Sequence, residues 1–391
     1  MLSPMGLTDN ARPAFHFTPT LEIRERYERR IERDFDAAVQ DNRSNLLSRA
    51  RIGISWTYGE ATKGELRYQY AHDMLWRNQG NKSTEMSNID LAYVEHKMGG
   101  STLKIGRQRL PIGHGRLIED STWSNSGKSF DIARVTQGNI SAFVGKVGVN
   151  STSQRKVTLG GLTYKHPKAG LTFYSYKHDG ATAGKTDIHT LDQDWDGQFG
   201  PVKANIEAAY QFGKNNGKDH RAWAYHGTFT GKTYGQYTPV IEVGAASGGN
   251  SATESTTFDN LWGAGHDKYG LLDMTGWKNM NKLAVGTEIA LAKGWKSKVQ
   301  WGSYSLRDKH DGWYNTGGSL NTHAGAPIRD VTGASGRYLG QELGFAITGS
   351  TSKNVTVSFG AGVFLPGSFI KKATGGGDRQ HWGYTSIQYK F

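Results

Sequence analysis

Two sets of residues have spacing that could do chemistry. Arg24 and Arg26, Arg49 and Arg51, and then Arg67 recur at even spacing inside segments that otherwise alternate apolar and polar residues. A row of guanidinium groups suits the bidentate recognition of carboxylates. Asp192, Asp194 and Asp196 followed by Gly197 match the first half of a calcium loop, but Lys203 stands at the twelfth position, where a bidentate Glu is needed. These three acids are expected on one strand face as a lumenal or turn-proximal cluster, with a bound cation as the alternative. Gly213 to Lys218 (GKNNGK) is too short for a phosphate-binding loop and lacks the following Ser/Thr, so it reads as a tight turn. The His residues show no metal-ligand spacing, and neither His-Glu-x-x-His nor Gly-x-Ser-x-Gly occurs. No catalytic residue and no cofactor is expected.

The elements that must position the arginines follow from composition and period. The chain has 391 residues, 47 Lys+Arg against 35 Asp+Glu for a net charge of +12, 52 Gly, 9 Pro and no Cys. The lack of Cys excludes disulfide staples, thiolate catalysis and Cys-ligated metals. No run of 18 apolar residues occurs, which excludes a helical membrane protein but not a β-barrel. No linker, low-complexity tract or long charge block divides the chain, and Met1 to Pro13 carries no basic segment followed by an apolar one. Any targeting segment is therefore expected to be missing from this sequence. The expected organisation is an N-terminal segment, 1–14, and one barrel domain, 15–391.

Period-2 alternation over stretches of about ten residues fills most of the chain. Ile206, Ala208, Tyr210 and Phe212 oppose Asn205, Glu207 and Gln211; Ile52, Ile54, Trp56 and Tyr58 oppose Arg49, Arg51, Ser55 and Thr57; Leu343, Phe345 and Ile347 oppose Glu342, Gly344 and Thr348. A soluble sandwich would alternate in the same way. The aromatic residues favour a barrel: Trp56, Tyr58, Tyr68, Tyr70, Trp76, Tyr93, Tyr210, Trp223, Tyr225, Trp295, Trp301, Tyr384 and Tyr389 fall on apolar faces or at strand ends, as interfacial girdles require. The last strand ends on Phe391, which resembles the assembly signal of bacterial outer-membrane barrels. The expected fold is all-β, a transmembrane antiparallel barrel of about eighteen strands, with sixteen as the runner-up. A barrel that wide leaves an aqueous lumen.

If the apolar faces meet lipid, the residues of opposite parity line the lumen: Arg24, Arg26, Arg49, Arg51, Arg67, Lys104, Lys203, Lys296 and Lys298, with Glu22, Glu28, Glu65, Glu207, Glu288 and Glu342 among them. Such a strip favours anions, unless cross-strand Arg and Glu pair into a structural ladder. The cations are spread at strand spacing, and no nucleic-acid-binding motif occurs, so no nucleic-acid partner is expected. Expected partners are an anionic saccharide or other anionic solute, and outer-membrane lipid with its lipopolysaccharide. A monomer is the simplest assembly. An occluded structural or adhesive barrel, or a barrel enzyme acting through its loops, is the alternative.

Two blocks carry a family resemblance. They are Gly106-Arg107-Gln108-Arg109-Leu110, with Gly113, Arg116-Leu117, Trp123-Ser124-Asn125 and Phe130-Asp131, and Phe258-Asp259-Asn260-Leu261-Trp262, with His266-Asp267-Lys268-Tyr269-Gly270, Asp273 and Gly276-Trp277-Lys278-Asn279. Together with Leu21 to Tyr27 and Ser48 to Gly53, they resemble the alginate-export family of outer-membrane proteins along essentially the whole chain. The resemblance implies an eighteen-stranded barrel, located in the bacterial outer membrane, with an electropositive constriction through which an acidic polysaccharide passes. Its motif cations fall on Arg24, Arg49, Arg51, Arg107 and Arg109, and its motif carboxylate on Asp131. Arg107 and Arg109 share the parity of Leu103 and Ile105 on the lipid side, which calls for a bulge near Gly106 or a place at a rim. The family's channels are closed by long loops from both sides. Here the long segments, about 111–128, 247–275 and 309–335, all count out to one side, and Ser350 to Asn354 is a short turn.

Overall fold

The computed structural model describes residues 14–39, 41–77, 84–147, 157–178 and 185–391. The first thirteen residues of the expected N-terminal segment lie outside them, as does the side chain of Trp76. Among the described residues, eighteen long strands form the wall. They are β1 (Phe15–Ile31), β2 (Arg43–Tyr58), β3 (Thr62–Arg77), β4 (Thr84–Met98), β5 (Ser101–Gln108), β6 (Phe130–Gln137), β7 (Ile140–Val147), β8 (Val157–His166) and β9 (Ala169–His178). The second half comprises β10 (Thr186–Phe199), β11 (Val202–Asn215), β12 (Lys218–Thr230), β13 (Tyr237–Ala246), β14 (Met280–Ala292), β15 (Trp295–Ser305), β16 (Tyr338–Ser350), β17 (Val355–Pro366) and β18 (Gln380–Lys390). Each pairs antiparallel with its sequence neighbour, and β18 pairs back onto β1, Lys390 opposite Glu22 and His381 opposite Ile31. Closure leaves no unpaired edge, the condition for strands in a bilayer.

The alternation resolves into an outer and an inner face. Ile52, Leu66, Tyr210, Leu343 and Ile387 stand exposed on the outside, while Arg49, Arg51, Gln211, Glu342 and Ser386 are buried within. Two of the expected girdle aromatics face inward instead: Tyr93 lies under the Lys104 ammonium, and Tyr384 packs edge-on against Trp123. Their rings found partners in the lumen that neighbouring polar residues could not reveal from period alone.

Connections differ sharply between the two ends. At one end the strands are joined by turns of two to six residues; the other end carries a two-residue turn at 216–217 and the long loops, which include 109–129, 247–279 and 306–337. These loops fold into the barrel, and the apolar core lies between them and the inner wall. One cluster joins Leu110, Ile118 and Phe130 to Phe258, Trp262 and Trp277. A second joins Phe35, Leu272, Trp313 and Phe364 to Phe369 and Ile370. The last two sit on the short helix α1 (Ser368–Thr374), which ends at Gly375 in the left-handed conformation that glycine adopts without strain. The turn at 351–354 is short, and among the described residues nothing folds into the lumen from the turn end.

Candidate functional site: an arginine-lined constriction

β1 and β2 pair with Arg24 opposite Arg49 and Glu22 opposite Arg51, so their inward side chains make one charged strip. β3 and β4 extend it. Arg49 meets Glu22 at 2.5 Å and Arg51 meets the same carboxylate at 3.3 Å. Asp90 on β4 is the second hub: Arg67 reaches it at 2.8 Å, Arg109 at 2.5 Å and Arg51 at 3.4 Å. Arg26 and Arg30 share Glu28 at 3.6 and 3.1 Å. Part of the expected electropositive strip is therefore a cross-strand ionic ladder.

The remaining donors of the strip hold the loop that follows β5. Arg24 Nη1 donates to Thr122 O at 2.8 Å, Arg49 Nη1 to Thr122 O and Ser124 O at 3.0 and 2.8 Å, and Arg26 Nη1 to Trp123 O at 2.8 Å. The Arg26 guanidinium also lies 3.8 Å over the Trp123 ring, whose other face stacks on His266 at 3.6 Å. His266 is bonded in turn to Asp273 at 2.8 Å. Guanidinium donors to carbonyls and an aromatic face are favourable in a site sheltered from water. They pin residues 122–124 across the lumen.

Beside this latch runs a cavity of about 730 Å³. Its lining carries seven cations (Arg24, Arg26, Arg49, Arg51, Lys128, Lys268, Lys390) against four carboxylates (Glu22, Glu119, Asp267, Asp273). Lys128 donates to Gly263 O at 2.6 Å and Lys268 to His114 O at 2.6 Å, tying the first inward loop to the second. Burial pushes the Lys128 ammonium down to about 8, with Glu119 acting against the shift. Burial likewise pushes the Glu119 carboxyl up.

Several sequence-predicted residues meet here and others do not. Arg24, Arg26, Arg49, Arg51, Arg67 and Arg109 converge, and Lys298 faces inward to Glu242 and Asp267 at 3.3 and 2.7 Å. Lys104 is inward as well, 3.6 Å over the Tyr93 ring. Lys296 shares that parity but is exposed next to the turns. Arg107 and Asp131 are corrected from a lumenal to an outward position. They pair bidentately at 2.7 and 2.8 Å on the parity of Ile105 and Val135, which are 51% and 43% exposed. The ladder runs through Gly106 without a register shift, so no bulge re-aims Arg107. Arg109 enters the lumen because it lies beyond the last paired residue, Gln108.

Asp192, Asp194 and Asp196 lie on one face, as their spacing predicts, and His114 of the inward loop bonds Asp196 at 3.0 Å. Sequence reasoning missed Asp90, Lys128, Lys268 and Glu242. Asp90 sits where the pairing with β3 shifts register, between Ile89 and Leu91, so alternation gave no inward signal there. The loop lysines have no period to reveal them.

Comparison with known proteins fits this geometry. The model of the alginate export family matches residues 17–383. None of the curated proteins compared matches the sequence. Among solved structures the chain is similar to three Pseudomonas aeruginosa proteins. OccK5 (OpdH) shows a TM-score of 0.64 at 12% identity, covering 96% of this chain and 98% of that one. The outer membrane protein OpdK gives 0.65 at 11%, covering 96% and 98%. OccK2 (OpdF), solved in complex with glucuronate, gives 0.61 at 11%, again covering 96% and 98%. At such identity the likeness is one of fold, an eighteen-stranded closed barrel of the porin type. The family match over nearly the whole chain adds what the fold alone does not: the chain belongs to the alginate export family and is an outer-membrane β-barrel channel.

Proposed function

We propose that this protein is a passive, non-enzymatic channel for anionic solutes, with an acidic oligosaccharide or polysaccharide such as alginate as the cargo class. The observation that carries the reading is the excess of seven cations over four carboxylates around the constriction cavity. In a narrow lumen with low-dielectric walls such an excess concentrates anions and lowers the entry of cations. Guanidinium and ammonium donors would replace part of the hydration of each carboxylate at several weak sites, loose enough for exit. The glucuronate bound by the OpdF barrel is a uronate of the same chemical class. Lipid and lipopolysaccharide would cover the outer apolar face, and with the barrel closed within one chain a monomer is the simplest functional unit. Uptake into proteoliposomes tests the reading: glucuronate is expected to enter faster than an uncharged hexose of equal size. Equal rates, or faster uptake of a cationic sugar, would contradict it.

A further inference from the structure

We propose that the tip of the first inward loop is clamped to the barrel wall by a divalent transition-metal ion, of the zinc or manganese class, bound by His114, Asp194 and Asp196. One ligand atom from each residue lies within 4.8 Å of the others. His114 comes from the loop, and both acids face inward on β10. None of the three lines the constriction cavity, so the site is separate from the path proposed for anions.

The arrangement around the imidazole asks for a cation. His114 Nδ1 stands 3.4 Å from Glu207 Oε2, and Nε2 stands 3.0 Å from Asp196 Oδ1. A neutral imidazole has one N–H, so either the ring is protonated and donates to both carboxylates or an ion stands between it and one of them. If Nδ1–H faces Glu207, the Nε2 lone pair points at an anionic oxygen. Two ligand atoms about 2.0–2.2 Å from a tetrahedral ion lie about 3.3–3.6 Å apart, so the His114–Asp196 pair, at 3.0 Å, needs to open only slightly to admit one. The carboxylate behind the opposite ring nitrogen is the usual means by which a ligating histidine is oriented.

The surroundings hold unpaired negative charge. Asp192 and Glu207 are each 1% exposed; Asp192 Oδ1 and Glu207 Oε1 have no hydrogen-bond donor among the described residues, and Glu207 Oε2 faces only the His114 ring, at 3.4 Å. Asp192 bonds through its other oxygen only to Tyr174, at 3.3 Å, and Arg116 Nε reaches no closer than 4.0 Å to Glu207. Four carboxylates thus gather around one imidazole, the Asn205 amide that donates to Asp196, and one distant guanidinium. Buried anions without partners are costly, and a dication held nearby by His114, Asp194 and Asp196 relieves part of that cost. Gly170, directly opposite Asp194 on β9, leaves the room its carboxylate occupies, since a Cβ at this position would collide with it. One imidazole with carboxylates favours a first-row transition ion over calcium, which takes oxygen ligands alone.

The test is isothermal titration of the refolded full chain with zinc and, separately, with calcium, on wild type and on His114→Asn and Asp194→Asn. Folding of each variant is checked by heat-modifiable gel migration. Wild type is expected to bind one zinc ion saturably, each folded variant to bind about tenfold more weakly or worse, and zinc to slow proteolysis within 109–129 in wild type alone. The proposal is overturned by absence of saturable zinc binding to wild type, by binding unchanged in the folded variants, or by calcium binding that His114→Asn leaves intact. Should one variant fail to fold, the other carries the comparison, and wild-type proteolysis with and without zinc decides independently.

Discussion

At the scale of single residues, the constriction is a balance between pairing and surplus. Asp90 is the one carboxylate shared by Arg51, Arg67 and Arg109, so its removal leaves Glu22 to Arg51 and Glu65 to Arg67 as their remaining counter-charges. Asp90→Ala is expected to destabilise the barrel by about 3–5 kcal/mol, the scale for breaking a buried ion pair, read as a lowered urea midpoint in detergent. An unchanged midpoint would mean that water, not Asp90, solvates the cluster. Lys128 supplies a pH signature. Its folded pKa is depressed to about 8 by burial, below the ordinary lysine value of about 10.4. Its positive charge is thus lost as pH rises through about 8. The linked stability has the opposite sense: the unfolded chain binds the extra proton between the two values, so stability rises with pH across that window. Anion selectivity is expected to step down near pH 8 in wild type and to lose that step in Lys128→Gln, measured by reversal potentials from pH 6 to 9. The residue scale is also where sequence reading reached least far. It named Arg49 and Arg51 from their parity, but only the folded loop shows that Arg24, Arg26 and Arg49 donate to carbonyls, which carry no side-chain signal.

At the scale of elements, strands were legible and their exceptions were not. Alternation placed Ile52 outside and Arg51 inside because a strand cannot change parity without an irregularity. Where one occurs, between Arg67 and Tyr68 opposite Asp90, the inward residue escaped notice. The opposite error arose at Arg107, where motif likeness pointed inward while parity pointed out, and the unbroken ladder through Gly106 sided with parity. The three long loops were visible as segments without period, yet their fold into the lumen depends on buried apolar side chains such as Leu110, Trp262 and Trp313, whose partners are distant in sequence. The arginine latch makes a direct prediction. Arg24→Ala together with Arg49→Ala removes the donors to Thr122 and Ser124. Hydrogen bonds to charged groups contribute about 1.5–3 kcal/mol each, so amide exchange at 121–126 is expected to accelerate by roughly tenfold or more. Exchange left unchanged would show that Arg26 and the packing of Trp123 hold the loop without these two arginines.

At the scale of the whole molecule, a wall of strands paired all the way round, apolar outside and charged within, is the architecture of a pore. Counting periods gives about eighteen strands with sixteen as the alternative, and β18 closing on β1 settles eighteen. The net charge of +12 does not by itself say where potential acts. In the folded chain the ladder consumes many of the cations, and around the cavity where the loops narrow the lumen seven cations stand against four carboxylates. All the long loops gather at one end, so among the described residues access from the turn end meets only short connections. The central claim is that this surplus sets which ions pass. The most direct measurement is the reversal potential of the refolded protein in a planar bilayer under a salt gradient, repeated with an acidic oligouronate on one side. The account predicts a potential of the sign for anion selectivity, with the current blocked by the oligouronate. Cation selectivity, or a barrel that conducts nothing, would contradict it and place the positive charge outside any conduction path.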